Sequence, residues 1–220
     1  MSETAVRGSR GGQGAWWPSD LVRWAALSVA CAGGSFGLAW LGPVVPLPSP
    51  VGGVALLLAW IVLPLAAALV PVLVLRRVPR KQRKVAWQLI FPVVAGVALG
   101  VFGMEVGDQA ALAERGTWGD AVVVRKDDSG KTDFCDLRTA DGREISPALS
   151  EGEGCEEWVT AGSKLRVRYD PASVARPTTD EEAGSEAGLL AVLFVLAVGM
   201  GTWGGVRQSR WDREHVGVGE

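Results

Sequence analysis

A chain of 220 residues with 22 basic and 24 acidic side chains has a net charge of −2, which excludes a polycation spread over nucleic acid. With only three cysteines and one histidine, a Cys/His zinc site is effectively excluded. Hydrophobic residues make up 48% and charged residues 21%, but the apolar ones fall in runs and the charges in blocks. Glycine (29) and tryptophan (10) are abundant, as in membrane proteins, where Gly lets helices approach and Trp sits at the water–lipid interface.

In chain order, residues 1–20 read as a flexible cytoplasmic N-terminus carrying Arg7 and Arg10. The apolar run LVRWAALSVACAGGSFGLAWLG (21–42) is too long for a signal-peptide core and lacks an A-x-A-like cleavage site, so it reads as a retained anchor. A short uncharged GPVVPLPSP hairpin leads to the second run (51–75). The basic stretch RRVPRKQRK follows, then a third run (85–107). The segment 108–186 is polar, a fourth run spans 187–206, and 207–220 form a basic tail. Each run is about 20 residues or longer, enough to cross about 30 Å of hydrocarbon as a helix.

The six basic residues Arg76, Arg77, Arg80, Lys81, Arg83 and Lys84 occupy nine positions between the second and third runs. Short positive loops stay in the cytoplasm, so this cluster sets the threading and meets anionic headgroups rather than nucleic acid. Both termini are then expected inside. The segment 108–186, with 18 acidic and 10 basic residues, is expected outside. Trp16, Trp17, Trp24, Trp87, Trp203 and Trp211 fall near inner ends and Trp40 near an outer end; Trp60 is mid-span. Small residues spaced by four (Gly33/Gly37, Gly96/Gly100, Gly201/Gly205) predict close helix packing, and Pro64 and Pro71 predict a kinked second span. Arg23 and Glu105, both near ends, are almost the only ionisable groups in the spans, which argues against a pump or proton-coupled carrier.

From Thr117 the period changes. WGDAVVVRK, KTDFCDLRTA, REISPAL and SKLRVRYDP read as strands separated by the turns DDSG and DG, with Leu165, Val167 and Tyr169 alternating against Lys164, Arg166 and Arg168. This predicts a small extracytoplasmic all-β module, a barrel or sandwich. Cys135 and Cys155 are the only cysteines outside the spans and lie on the oxidising side; a bridge would contribute about 3 kcal/mol by the loop-entropy model. The alternative is two free thiols. The basic face of the last strand has two open partners, an acidic protein or the module's own carboxylates.

No catalytic, cofactor-binding or metal residues are assigned. The sole histidine, His215, is expected across the membrane from the module, so no Ser/His or Cys/His pair forms there. The carboxylates Glu151, Glu153, Glu156 and Glu157, and Asp127, Asp128 and Asp133, lack calcium-loop spacing and read as solvated turns.

The stretches RGTWGDAVVVRKDDSG and GSKLRVRYDPASVARP resemble the opening strand and closing V-x-V-x-Y-D-P element of a bacterial membrane-protein family known as domain of unknown function 3592. The resemblance implies a β module between flanking membrane helices and carries no activity or catalytic residue. The first two spans go beyond the simplest version of that pattern.

The sequence thus points to a non-enzymatic, multi-pass bacterial cell-membrane protein. Its partners would be the lipid bilayer and other membrane or envelope proteins, its role sensing, scaffolding or assembly. An accessory subunit of a membrane transporter is the second reading. A thiol–disulfide protein is the third, weakened because 19 residues separate the two cysteines where redox enzymes use C-x-x-C.

Overall fold

The computed structural model describes residues 17–74, 87–180 and 187–215. The basic cluster Arg76, Arg77, Arg80, Lys81, Arg83 and Lys84 lies outside the described residues, as do Arg7, Arg10 and Trp16.

The chain runs through helix α1 (Trp17–Val44) and then a second, composite span. That span is α2 (Ser49–Leu57), a π-helical stretch (Leu58–Val62) and α3 (Leu63–Val74). Helix α4 (Ile90–Arg115), a four-stranded sheet and helix α5 (Ala187–His215) complete it. Four helices are long and apolar enough to cross a membrane: Ser19–Val44, Pro50–Leu73, Trp87–Arg115 and Ala187–Trp211. Their outer surfaces expose Val22, Val54, Ile61, Ile90, Val94 and Val195, each more than half exposed, a surface suited to lipid and costly in water.

Just before Pro64, one of the two positions where a kink is expected, the helix widens into the π-helical stretch, and Leu63 N–H reaches back to Leu58 O. Pro64 has no N–H to give, so a widened turn there loses less than a tight one. Pro71 stays within continuous α3.

Several boundaries differ from the sequence reading. Helix α1 begins at Trp17, inside the segment expected to be flexible, with Pro18 near its start and Asp20 in its first turn. Helix α4 continues from Gly107 to Arg115, into the segment assigned to the β module. Its last turns, DQAALAER, are rich in helix-forming Ala, Leu and Glu, and Ala111 and Leu112 bury against Ala175. Helix α5 likewise runs on into the expected tail.

A glycine seam on α4 explains how the bundle closes. A Cβ on Gly96 would stand 3.2 Å from Pro64, and one on Gly100 2.8 Å from Trp60. On Gly103 it would stand 2.8 Å from Phe36 O, and on Gly107 2.6 Å from Trp40 O. The mid-span Trp60 therefore seats on a glycine. Gly201 and Gly205 admit Ser28 and Trp24 in the same way. The Gly33/Gly37 pair does not follow the expectation, because nothing lies within 4 Å of either. Trp24 is buried within the bundle, and its Nε1 donates to Ser209 Oγ at 2.8 Å. Trp87 and Trp203 are largely exposed. An Asp20–Arg213 ion pair also ties the start of α1 to the end of α5. These contacts sit at the end of the bundle opposite the sheet.

Strands β1 (Thr117–Asp127), β2 (Phe134–Thr139), β3 (Glu144–Ser150) and β4 (Lys164–Tyr169) form one antiparallel sheet in the order β3-β2-β1-β4. Gly142, with φ +88°, supplies the left-handed residue of the expected Asp141–Gly142 turn. The alternation places Ala121, Val123, Cys135, Leu137, Ile145, Leu149 and Val167 on one buried face. The connection between β3 and β4 folds over that face with Cys155 and Val159. A Cys135–Cys155 disulfide pins it there, Cα–Cα 5.7 Å. Lys126 Nζ adds bonds to the carbonyls of Glu156 and Glu157 and an ion pair to Asp133 at 2.8 Å. The module is thus a single small sheet under a stapled loop; closure into a barrel or packing on a second sheet is not seen among the described residues.

Candidate functional site

The sheet meets the bundle at the end of α4. Gly116 makes the change from helix to strand with φ −67°, ψ 140°. A Cβ there would lie 2.5 Å from Leu112 O and 3.1 Å from Arg168 Nε, so only glycine fits. The residue before it, Arg115, spreads its guanidinium over two elements. Nε and Nη2 donate to Asp170 Oδ1 and Oδ2, both at 3.0 Å. Nη1 donates to Val44 O at 2.8 Å and Nη2 to Pro43 O at 2.5 Å. These carbonyls belong to the last turn of α1, where no intrahelical donor remains. One planar fork thereby caps α1, closes on a carboxylate from the end of β4, and is anchored in α4.

Asp170 is the first residue after β4, and its side chain is fully buried. It also accepts from the backbone N–H groups of Ala172 (2.9 Å), Ala175 (3.1 Å) and Val174 (3.3 Å). Burial pushes this carboxyl up. Arg115 and the three N–H groups outweigh it and hold the group below the ordinary carboxylate range. The loop so gathered returns to the bundle, where Arg176 N–H donates to Asp108 Oδ1 on α4 at 3.2 Å. Its guanidinium lies 3.9 Å from Asp108 Oδ2. The loop then rejoins the sheet through Arg168 and Thr178. Arg168 Nη2 donates to Ala113 O at 3.4 Å.

This arrangement holds a buried carboxylate beside a guanidinium and joins the end of β4 to α1 and α4. Of the site residues expected from sequence, Cys135 and Cys155 are brought together and fully buried, a structural staple. The basic cluster lies outside the described residues. No group of three or more potential metal ligands occurs among the described residues. Between the spans, a gap beside Ser28, Cys31 and Ser35 is too narrow for a water molecule.

Sequence reasoning missed Arg115, Asp170 and Asp108. The available signal was the Y-D-P after an alternating strand and a lone Arg before a Gly at the end of an apolar run. Arg115 and Asp170 fall within the stretches 115–130 and 162–177, which the sheet sets side by side through β1 and β4, whereas Asp108 lies earlier, on α4.

Comparison with known protein families, with curated proteins and with solved structures finds no match to this chain.

Proposed function

We propose that this chain is a non-enzymatic protein of the bacterial cell membrane. Four transmembrane helices hold a small disulfide-stapled sheet outside, for sensing, scaffolding or contact with envelope proteins. The observation that carries this reading is the Arg115 fork. A sheet that merely trailed from a span would not need a partly buried guanidinium joining its end to two helices. A sheet that must report a contact to the bundle, or hold a partner in a fixed orientation above it, does need one.

The threading rests on the basic loop 76–84 and the acidic segment 108–186, with both termini cytoplasmic. Kinship with the family of domain of unknown function 3592 is part of this proposal and rests on the two quoted stretches.

Two measurements test it. A membrane-impermeant thiol reagent applied to intact cells is expected to label a cysteine placed at Ser129 and to miss one placed at Gln82; the reverse pattern overturns the threading. Pull-down from detergent-solubilised cells with mass spectrometry is expected to recover envelope or membrane proteins. They should be lost when residues 117–180 are replaced by a neutral linker. Identical recoveries with and without the sheet would overturn the binding role.

A further inference from the structure

Strand β4 is an edge of the sheet, and its bonding is alternate. Arg168 N–H donates to Thr178 O at 2.8 Å, and Arg168 O accepts from Thr178 N–H at 3.0 Å, so Arg168 faces away from β1. By the two-residue period of an antiparallel ladder, the N–H and C=O groups of Lys164 and Arg166 face the same way. Among the described residues no hydrogen bond meets them. Within the described residues, which stop at Asp180 on this side, pairing of the return segment with this edge ends at Thr178, and Asp180 N–H turns to Thr178 Oγ1 at 3.1 Å. The opposite edge, β3, is blunted by Pro147, which has no N–H.

The side chains flanking the open edge are basic. Lys164 and Arg166 are exposed. Ion pairs in and around the sheet are Arg115–Asp170, Arg125–Asp136, Lys126–Asp133, Arg143–Asp141 and Arg176–Asp108. None uses Lys164 or Arg166; Asp120 stands opposite Arg166 in the ladder without forming an ion pair, and Lys164 faces Val122. Arg166 lies 5.5 Å from the centre of the Trp118 ring, which holds its guanidinium in place. A second copy is a poor occupant: antiparallel β4 against β4 sets Lys164 and Arg166 opposite one another, like charge on like charge.

We infer that the open edge of β4 takes a short, extended, acidic peptide segment of an envelope partner as a fifth strand. Its main chain pairs with Lys164 and Arg166, and alternate Asp or Glu side chains face theirs. Backbone bonds supply affinity and the charges set register. The inference rests on the proposed binding role and narrows the partner's chemistry.

The test uses the full chain in phosphatidylcholine nanodiscs and a fluorescent peptide, acetyl-Val-Glu-Val-Asp-Val-Glu-amide, read by anisotropy. Two control peptides are the same sequence N-methylated at alternate residues and one with Lys at the acidic positions. The acidic peptide is expected to bind about 10-fold more tightly than either control, equivalent to about 1.4 kcal/mol. Lys164→Gln with Arg166→Gln is expected to weaken it similarly. Arg166→Pro removes an outward N–H without touching the bonds to β1 and should abolish binding at an unchanged melting temperature. Absence of binding, equal affinity for the N-methylated peptide, or indifference to the Gln variants overturns the inference. Partners recovered in the pull-down while this peptide fails to bind would overturn the edge alone and leave the broader reading standing.

Discussion

The helix bundle and the sheet are held by opposite means. The bundle closes by subtraction: glycines at 96, 100, 103 and 107 remove side chains so that Pro64, Trp60 and the backbone at Phe36 and Trp40 can approach. In lipid, close van der Waals packing replaces the hydrophobic drive that water would supply. The sheet is too small to rely on packing, and it adds a covalent staple, a Lys126 clip and an alternating buried face. Between them lies the Arg115 guanidinium, which satisfies carbonyls at the end of α1 and a buried carboxylate of the sheet, with Arg168 and Arg176 adding contacts to α4. The contrast teaches where each region is vulnerable: the bundle to added atoms, the sheet to lost bonds, the junction to lost charge.

The largest effect is expected at the junction. Arg115→Met leaves the fully buried Asp170 carboxylate with only its three backbone N–H donors and frees the last carbonyls of α1, a loss of about 3 kcal/mol, the lower end for a broken buried pair because Arg115 is partly exposed. Thermal unfolding in detergent, with limited proteolysis of the sheet, reads it. Arg143→Met removes the exposed pair with Asp141 and should cost under about 1 kcal/mol. If the two variants melt alike, the junction carries no special share of stability.

Second is the staple. Cys135→Ser with Cys155→Ser should cost about 3 kcal/mol by the loop-entropy model and melt the sheet ahead of the bundle. Thiol counting under denaturation sharpens this. The oxidised chain should titrate one thiol, Cys31, and the reduced chain three. Three thiols without reductant in protein from native membranes would remove the staple from the account.

Much of this contrast was legible in the sequence, but unevenly. Length and apolarity alone mark a long apolar helix, so four runs sufficed to mark four helices; the last turns of α4 did not show, because DQAALAER is polar and extends no apolar run. Leu165, Val167 and Tyr169 revealed a half-buried strand because period-two alternation is local. Gly96/Gly100 and Gly33/Gly37 carry the same motif, yet only the first pair is filled. The motif permits an approach and does not say which helix makes it. Arg115 was illegible for a stronger reason: its partners lie 55, 71 and 72 residues away. One cation in an acidic segment forms no pattern until the fold brings those acceptors together.

The third effect separates filled from unfilled glycines. Gly107→Ala would set a methyl 2.6 Å from Trp40 O and 3.1 Å from Trp40 Cα, atoms of a helix backbone that cannot turn aside. Overpacking of this kind costs about 1–3 kcal/mol. Gly33→Ala meets nothing within 4 Å and should be neutral or stabilising by up to about 1 kcal/mol, since Ala is the better helix former. Denaturation titrations in mixed micelles distinguish them. Equal losses at both positions would mean that Gly33 is packed against something in the membrane.

The smallest effect near neutral pH concerns Asp170, whose charge the junction needs. Burial works against that charge, but Arg115 and the backbone N–H groups of Ala172, Ala175 and Val174 hold its carboxyl below the ordinary range in the folded chain. A depressed folded value means that the unfolded chain takes up the proton first. The stabilisation is therefore fully present above the unfolded carboxylate value, near about 4, and is lost as pH falls through the lower folded value. Between pH 8 and pH 5 the junction should show no change attributable to this group; below about pH 4 the sheet should loosen from the bundle. Asp127 and Asp141 are also depressed, the first mainly by Ser129 and the second mainly by Thr139 and then Arg143, and they titrate in the same direction. Their bonds lie within the hairpin turns, so they soften the sheet without freeing it. Asp170→Asn separates the contributions. It should lower the melting temperature at neutral pH and flatten the acid limb of proteolytic release at the α4–β1 boundary, while the turn aspartates still shift sheet melting. An acid limb that is as steep in Asp170→Asn as in the parent chain would assign the acid sensitivity to the hairpins and leave the junction as a neutral fastening.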